Sequence, residues 1–272
     1  MSRLIVQADD LAITHAATLG ILDGITNGMV RTTGIFTNRP DAAFAADQVA
    51  GIDGVDVGID INFVTGSPLL PASEVPTLVT GEGRFRTSHE IKAEFPVKQL
   101  DGPYMDFEVE PFDHDQTLAE ARAQVERFIS LFGHAPAYVH HHSLSSTMVD
   151  QVLHEVAAEQ GVIVVDDLLR TGELPWVGGM LNPPLDATGQ AAMDLVAWFE
   201  PKLEQILATE VSILITHPGY VDAELLGISS FHLIRLRDHE LVTSPRIMKL
   251  LADNGVEVVS YTNAGIDLKA RA

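Results

Sequence analysis

The chain has 272 residues, 46% of them hydrophobic, and its 38 acidic against 17 basic side chains give a formal net charge of −21 at pH 7. A charge of that sign excludes a basic nucleic-acid footprint and disfavours anionic membranes; most of it reads as a solvated acidic surface. The chain has no cysteine, so disulfides, thiolate catalysis and zinc–thiolate sites are excluded, and no apolar run reaches the roughly 18 residues of a transmembrane helix.

The N-terminus enters a strand-like run at once, after a single Arg3 and without the apolar region of a signal peptide, which predicts a cytoplasmic protein. Residues 4–8 read as a short buried parallel strand, and Asp9 and Asp10 close it. Two carboxylates at the end of a buried strand are costly unless paired, hydrogen-bonded or bound to metal. In α/β folds that end of the strand is where ligands and catalysis sit. One carboxylate would be enough to cap the helix that starts near Thr14, so two point to chemistry.

Residues 16–28 carry Leu19, Leu22 and Ile25 at helical spacing and stop at Asn27-Gly28. A strand is predicted over 33–38, an Ala-rich helix over 41–49, and a strand over 55–61 that carries Asp60. Residues 64–115 are rich in Gly and Pro, with Phe85, Phe95, Phe107 and Phe112 scattered through them; they predict a loop-rich insertion roofing the site. A helix follows over 117–132, then a strand at 137–139 running into His140-His141-His142. Beyond it come a helix over 148–160, a strand over 162–165, a helix over 191–209 and a strand over 211–216 that leads into His217. A helix over 244–254, stopped by Gly255, and a strand over 256–260 complete the pattern. This alternation implies an α/β fold, a parallel sheet with helices outside it, closing as one barrel-like domain over 1–272.

The polar residues that follow the strands are the informative coincidence. Asp9-Asp10, Asp60, His140-His141-His142 and His217 would meet on one face of such a barrel. They are ligands suited to Zn²⁺, Mn²⁺, Fe²⁺ or Mg²⁺, with a carboxylate and an imidazole to spare for acid–base work. Strand alternation puts His140 and His142 on one face and His141 on the other. Phosphate-binding glycine loops and a GxSxG nucleophile turn are absent.

These motifs resemble the YdjC-like (ChbG-type) carbohydrate deacetylases, whose fold is a distorted βα-barrel of the polysaccharide-deacetylase-like type. Ala8-Asp9-Asp10 is similar to the family's opening ADD, and residues 27–30 with Asn38 to its "NGiv…st…mvN" stretch. Residues 57–62 and 65–69 are similar to "vGlHlnlteG-PL", and 136–142 to "P-x-hiDsHhHvH". His217-Pro218-Gly219-Tyr220 resembles "HPGy", and Arg237-Asp238-His239-Glu240-Leu241 the late "RxxEL". The resemblance runs nearly end to end.

It implies that Asp9 is the catalytic base, that Asp10 and His142 bind a divalent metal, and that His217 stabilises the tetrahedral intermediate or protonates the leaving group. The family's further ligand, the His of "GlH", is Asp60 here; its Phe-Gly after ADD is Leu11-Ala12, and its later histidines fall on Leu144 and Ser146. An Asp, Asp, His set still suits a hard divalent ion. The expectation is therefore one divalent ion (Zn, Mn, Mg or Fe) on Asp10, Asp60 and His142, with His140 in reserve or contacting substrate beside Arg237 and Asn38. The expected reaction is metal-dependent hydrolysis of a C–N amide bond in a small molecule, with N-acetylated chito-oligosaccharides poor substrates because the sugar-linked motifs have drifted. The competing expectations are a non-hydrolytic metal-dependent lyase or isomerase and a catalytically silent small-ligand binder. No nucleic-acid or membrane partner is expected, and self-association is left open.

Overall fold

Strand β1 (Arg3–Leu11) is buried from Leu4 to Leu11 and forms the axis of a parallel sheet. The computed structural model describes residues 1–100, 105–184 and 186–270. From β1 the chain passes through α1 (His15–Thr26) to β2 (Thr32–Ile35), then through α2 (Ala42–Val49) to β3 (Asp56–Ile61). The insertion follows, with α3 (Ser88–Glu94) and an antiparallel pair, β4 (Val97–Gln99) and β5 (Met105–Phe107). Residues 101–104 of the predicted insertion lie outside the described residues. Next come α4 (His114–Phe132), β6 (Val139–His141), α5 (Thr147–Gln160) and α6 (Asp166–Arg170). Three short helices, α7 (Ala187–Ala192), α8 (Leu195–Phe199) and α9 (Leu203–Leu207), lead to β7 (Val211–Thr216). The chain ends through α10 (Ala223–Ile228), α11 (Ile234–Val242), α12 (Pro245–Asp253) and β8 (Glu257–Val259).

The strand order is β6-β3-β2-β1-β7, every pairing is parallel, and β8 joins the first residues of β1. The sheet curls. Beyond β6, Val164 bridges to Val139; beyond β7, Trp176 bridges to Ile213; and residues next to both edges, Asp166 and Trp176, line one cavity. With helices on the outside, this is the distorted βα-barrel class that the sequence implied.

Local chemistry sets the element ends. Thr14 caps α1 by accepting from the Ala17 N–H, so neither Asp9 nor Asp10 is spent as a cap. Asp113 and Ser146 cap α4 and α5, and each helix stops at a left-handed glycine, Gly133 and Gly161.

Several predicted elements differ. The strand over 162–165 is only a pair of isolated bridges, because the chain turns into α6 directly after it. The helix over 191–209 is broken: Met193 is extended, Asp194 starts a new helix by accepting from Ala197 N–H, and Pro201 sits in a 3₁₀ turn. The phenylalanines do not roof the site. Phe85, Phe107 and Phe112 are buried in the main hydrophobic core, where their large apolar areas are better satisfied than over an open cleft.

Candidate active site

β1 is irregular where its carboxylates lie. Its register against β2 slips between Ala8 and Leu11, and Asp10 takes a left-handed backbone with φ 69°. Successive side chains of a regular strand point to opposite faces; the slip lets Asp9 and Asp10 line the same cavity. A non-glycine residue held this way costs roughly 1–3 kcal/mol, a cost characteristic of functional sites.

Register brings the other strand ends alongside. Ala8 lies opposite Thr216, so His217 follows next to Asp9, and Asp60 lies opposite His140. Asp9 Oδ1 accepts from Gln7 Nε2 at 2.6 Å, and Gln7 in turn accepts from the buried Tyr261 hydroxyl at 2.6 Å. Asp9 Oδ2 stands 3.3 Å from His140 Nε2 and 3.8 Å from His217 Nε2. Burial works to raise the Asp9 carboxyl, but the two imidazoles outweigh it and hold it below the ordinary carboxylate range.

Asp10 is buried between Arg235 and His142. Its Oδ2 pairs with Arg235 Nη2 at 2.5 Å, and its Oδ1 is 2.9 Å from His142 Nδ1. Against the raising effect of burial, His142 and Arg235 keep Asp10 well below the usual range. Asp60 is the opposite case. Burial and the neighbouring Asp9 charge push it well above its ordinary value, and its Oδ2 accepts the Asp10 N–H at 2.9 Å. Gly34 on β2 makes that placement possible: a Cβ there would fall 1.7 Å from Asp60 Oδ1.

A second carboxylate organises the histidines. Asp166 accepts from His140 Nδ1 at 2.9 Å and His141 Nδ1 at 2.7 Å, and the row Asp166–His140–Asp9 crosses the cavity floor. His141 therefore does not point to the far face, as alternation predicted. β6 ends there, and Asp166 draws its imidazole to the same rim. Burial works to lower His140, but Asp166 and Asp9 raise it well above the ordinary imidazole value; burial pushes His217 below that value. The His217 N–H donates to Asp238 Oδ2 at 3.0 Å, and burial raises the Asp238 carboxyl to about 7.

The donor set suits a hard divalent cation. Asp60 Oδ1 is a buried carboxylate oxygen with no hydrogen-bond partner, the situation a bound cation relieves, and Asp10 Oδ1 has only the His142 imidazole beside it. Among the described residues two trios offer ligand atoms within 4.8 Å of one another: Asp9, Asp60 and His140, and His140, His141 and Asp166. The predicted trio of Asp10, Asp60 and His142 is not one of them, although Asp10 touches both of its other members.

The reacting groups lie between two lobes of one cleft. One, with a cavity volume of about 310 Å³, has the acidic floor and apolar walls from Leu169, Trp176, Leu181, Ile215 and Phe231. The other, about 610 Å³, shares Asp10, His142, Ser143, His217 and Phe231 with it and is walled by polar side chains from the insertion and from Ser229, Ser230 and His232, with Val64, Leu226 and Ile228 beside them.

The chain matches the family model described as YdjC-like protein over residues 3–253. It belongs to that family. Curated relatives include a carbohydrate deacetylase of Listeria monocytogenes serotype 4a (strain HCC23), 28% identical over 95% of this chain and 98% of that protein. A carbohydrate deacetylase of Clostridium beijerinckii is 27% identical over 95% of this chain and 98% of its own length. Among solved structures, a protein of Enterococcus faecalis V583 described as a putative cellobiose-phosphate cleavage protein superposes with a TM-score of 0.72 at 18% identity, covering 96% of this chain and 98% of that one. That likeness shows the fold. Membership of the YdjC-like family makes the chain a hydrolase. No helix among the described residues is long and apolar enough to cross a membrane.

Asp9, Asp10, Asp60, His140, His142 and His217 all line the same cavity. Two predicted substrate contacts do not. Arg237 donates to the Ala191 carbonyl and pairs with Glu240 at 2.8 Å, because α11 turns that face towards α7 and away from the cleft. Asn38 donates to the Thr65 and Ser67 carbonyls and accepts from Asn62, fixing the start of the insertion. The sequence reading missed Arg235, Asp166, Gln7 and Gly34. Asp166 carried a usable signal, since it too follows a strand-like run.

Proposed function

We propose that this YdjC-like hydrolase is a metal-dependent deacetylase that cleaves the C–N amide bond of a small N-acetylated carbohydrate. The observation that carries the reading is the Asp9 carboxylate facing the His217 imidazole at 3.8 Å on the floor of the cleft. Asp9, kept ionised by its imidazole neighbours, accepts the proton of the attacking water as general base. His217, across from it and favoured as the neutral imidazole by burial, takes that proton on from Asp9 and passes it to the departing amine nitrogen. Gln7 and Tyr261 fix the orientation of Asp9, and Asp238 fixes the His217 backbone.

Asp10, Asp60 and His142 would hold the ion, supported by the unpartnered Oδ1 of Asp60 and by the approach of His142 to Asp10 Oδ1; Arg235 steadies the other oxygen of Asp10. Bound there, a divalent ion supplies a polarised carbonyl and a water of lowered pKa. A second arrangement, Asp9, Asp60 and His140 with Asp166 holding the far nitrogen of His140, is favoured by the mutual approach of its ligand atoms within 4.8 Å.

The test is acetate release from a panel of N-acetylated sugars, small amides and esters by metal-loaded and chelated protein. Release from an N-acetylated sugar that stops on chelation and returns with metal supports the reading; release from none of them overturns it. Metal affinity separates the two arrangements. Asp10→Ala and His142→Ala should lower it with His140→Ala near wild type, and the reverse order moves the ion to the second set.

A further inference from the structure

The two lobes differ in chemistry, and the reacting groups sit at their junction. Among the described residues, the hydroxyls of the smaller lobe are those of Ser143 and Ser145 beside the histidines, and its outer walls are aliphatic and aromatic side chains with Lys92 among them. Leu169, Trp176, Leu181, Ile215 and Phe231 are all only half-buried and Met180 is 50% exposed, so apolar surface is held open inside a concavity. Apolar surface in a cleft of about 310 Å³ marks a ligand-binding wall. The methyl of an acetyl group would leave most of it empty, since a single water occupies only ~30 Å³. The larger lobe is built differently: beside Val64, Leu226, Ile228 and the shared Phe231, it is faced by Thr65, Thr87, Ser88, His89, Ser230 and His232, groups that hydrogen-bond to a polyol.

From this division we infer that the substrate is amphipathic: a sugar whose hydroxyls lie in the polar lobe and whose amide carries an acyl chain, longer than acetyl, that lies along the Leu169–Trp176–Leu181 wall. The inference rests on the amide-hydrolase reading, puts a longer acyl group in place of its acetyl, and adds the direction in which the substrate lies. Both halves meet the same centre. Asp10, His142 and His217 border both lobes, so a scissile amide between the two parts of the ligand falls within reach of Asp9 and His217. The bond broken remains C–N, and water supplies the hydroxyl of the released fatty acid and the proton of the freed amine.

The experiment is calorimetric titration of the full chain carrying Asp9→Asn with glucosamines N-acylated by acetyl, butyryl, hexanoyl and octanoyl groups, alongside hydrolysis of the same series by the wild type. Affinity should rise with each added methylene, by up to about fourfold per group at ~0.8 kcal/mol each, until the lobe is full. Trp176→Ala and Leu181→Ala, made separately in the Asp9→Asn chain so that one misfolded variant does not decide the matter, should each flatten that rise. Affinity that stays level or falls with chain length, while the wild type still releases acetate, overturns the inference and leaves the deacetylase reading standing. Affinity that rises with chain length while no member is hydrolysed overturns the deacetylase reading and leaves the lobe assignment standing.

Discussion

Replacing Gly34 by alanine tests how Asp60 is held. A Cβ at position 34 would lie 1.7 Å from Asp60 Oδ1, 2.2 Å from its Cγ and 2.5 Å from Oδ2, all inside the 3.0 Å that real Cβ contacts respect. Gly34 lies in β2, between β1 and β3, and Asp60 is 1% exposed, so neither backbone nor carboxylate can step aside freely. The carboxylate must swing out of place and lose the 2.9 Å bond from the Asp10 N–H. Overpacking typically costs about 1–3 kcal/mol, and a lost hydrogen bond to a buried carboxyl adds roughly 1–3 kcal/mol. A destabilisation near 3 kcal/mol is therefore expected, or roughly 6–12 °C in melting temperature for a chain of this size.

The specific signature is a coupling. In a double-mutant cycle on thermal or urea unfolding, Asp60→Ala removes the atoms that Gly34→Ala strikes. The double variant should thus be at least about 1 kcal/mol more stable than the sum of the singles implies. Gly34→Ala should also weaken divalent-metal affinity as Asp60→Ala does. Additive stabilities, or a Gly34→Ala protein as stable as wild type, would refute this packing of Asp60 over β2.

The remaining predictions concern the proton-handling groups. Asp9→Asn keeps the shape of the side chain and removes the proton acceptor, so turnover on the true substrate should fall roughly 10²-fold or more while metal content measured by elemental analysis stays near wild type; full activity would make Asp9 structural. Asp238, buried and raised from 3.8 to about 7, holds its proton more tightly folded than unfolded. Its contribution is therefore fully present below about pH 4 and is lost as pH rises through 7, an amount on the order of 4 kcal/mol at 1.36 kcal/mol per pH unit. Asp238→Asn can still accept from the His217 N–H and does not titrate. Unfolding free energies of the two proteins should then diverge in favour of the variant between pH 4 and 8, and parallel curves over that range would contradict the raised value.

How much of this site was legible depended on how local its physics is. Asp9, Asp10, Asp60 and His217 were readable because a carboxylate or imidazole that ends or interrupts a buried strand is a violation visible within a few residues. Asp166 obeys the same rule and was reachable by it, but α6 follows at once and the run at 162–165 is barely a strand. Gly34 announces itself only once Asp60 is seen lying across it, and strand pairing sets that contact at a separation the sequence does not encode. Arg235 is the furthest case: it pairs with Asp10, 225 positions away in sequence, from a helix that strand-end reasoning does not reach. Motif resemblance led instead to Arg237, two residues further along α11. At 3.6 residues per turn that step rotates a side chain by roughly 200°, and it is enough to separate a guanidinium on the buried Asp10 from one held by the Ala191 carbonyl. A motif thus located the helix that supplies the cation, and only the fold decided which of its faces meets the acids of β1.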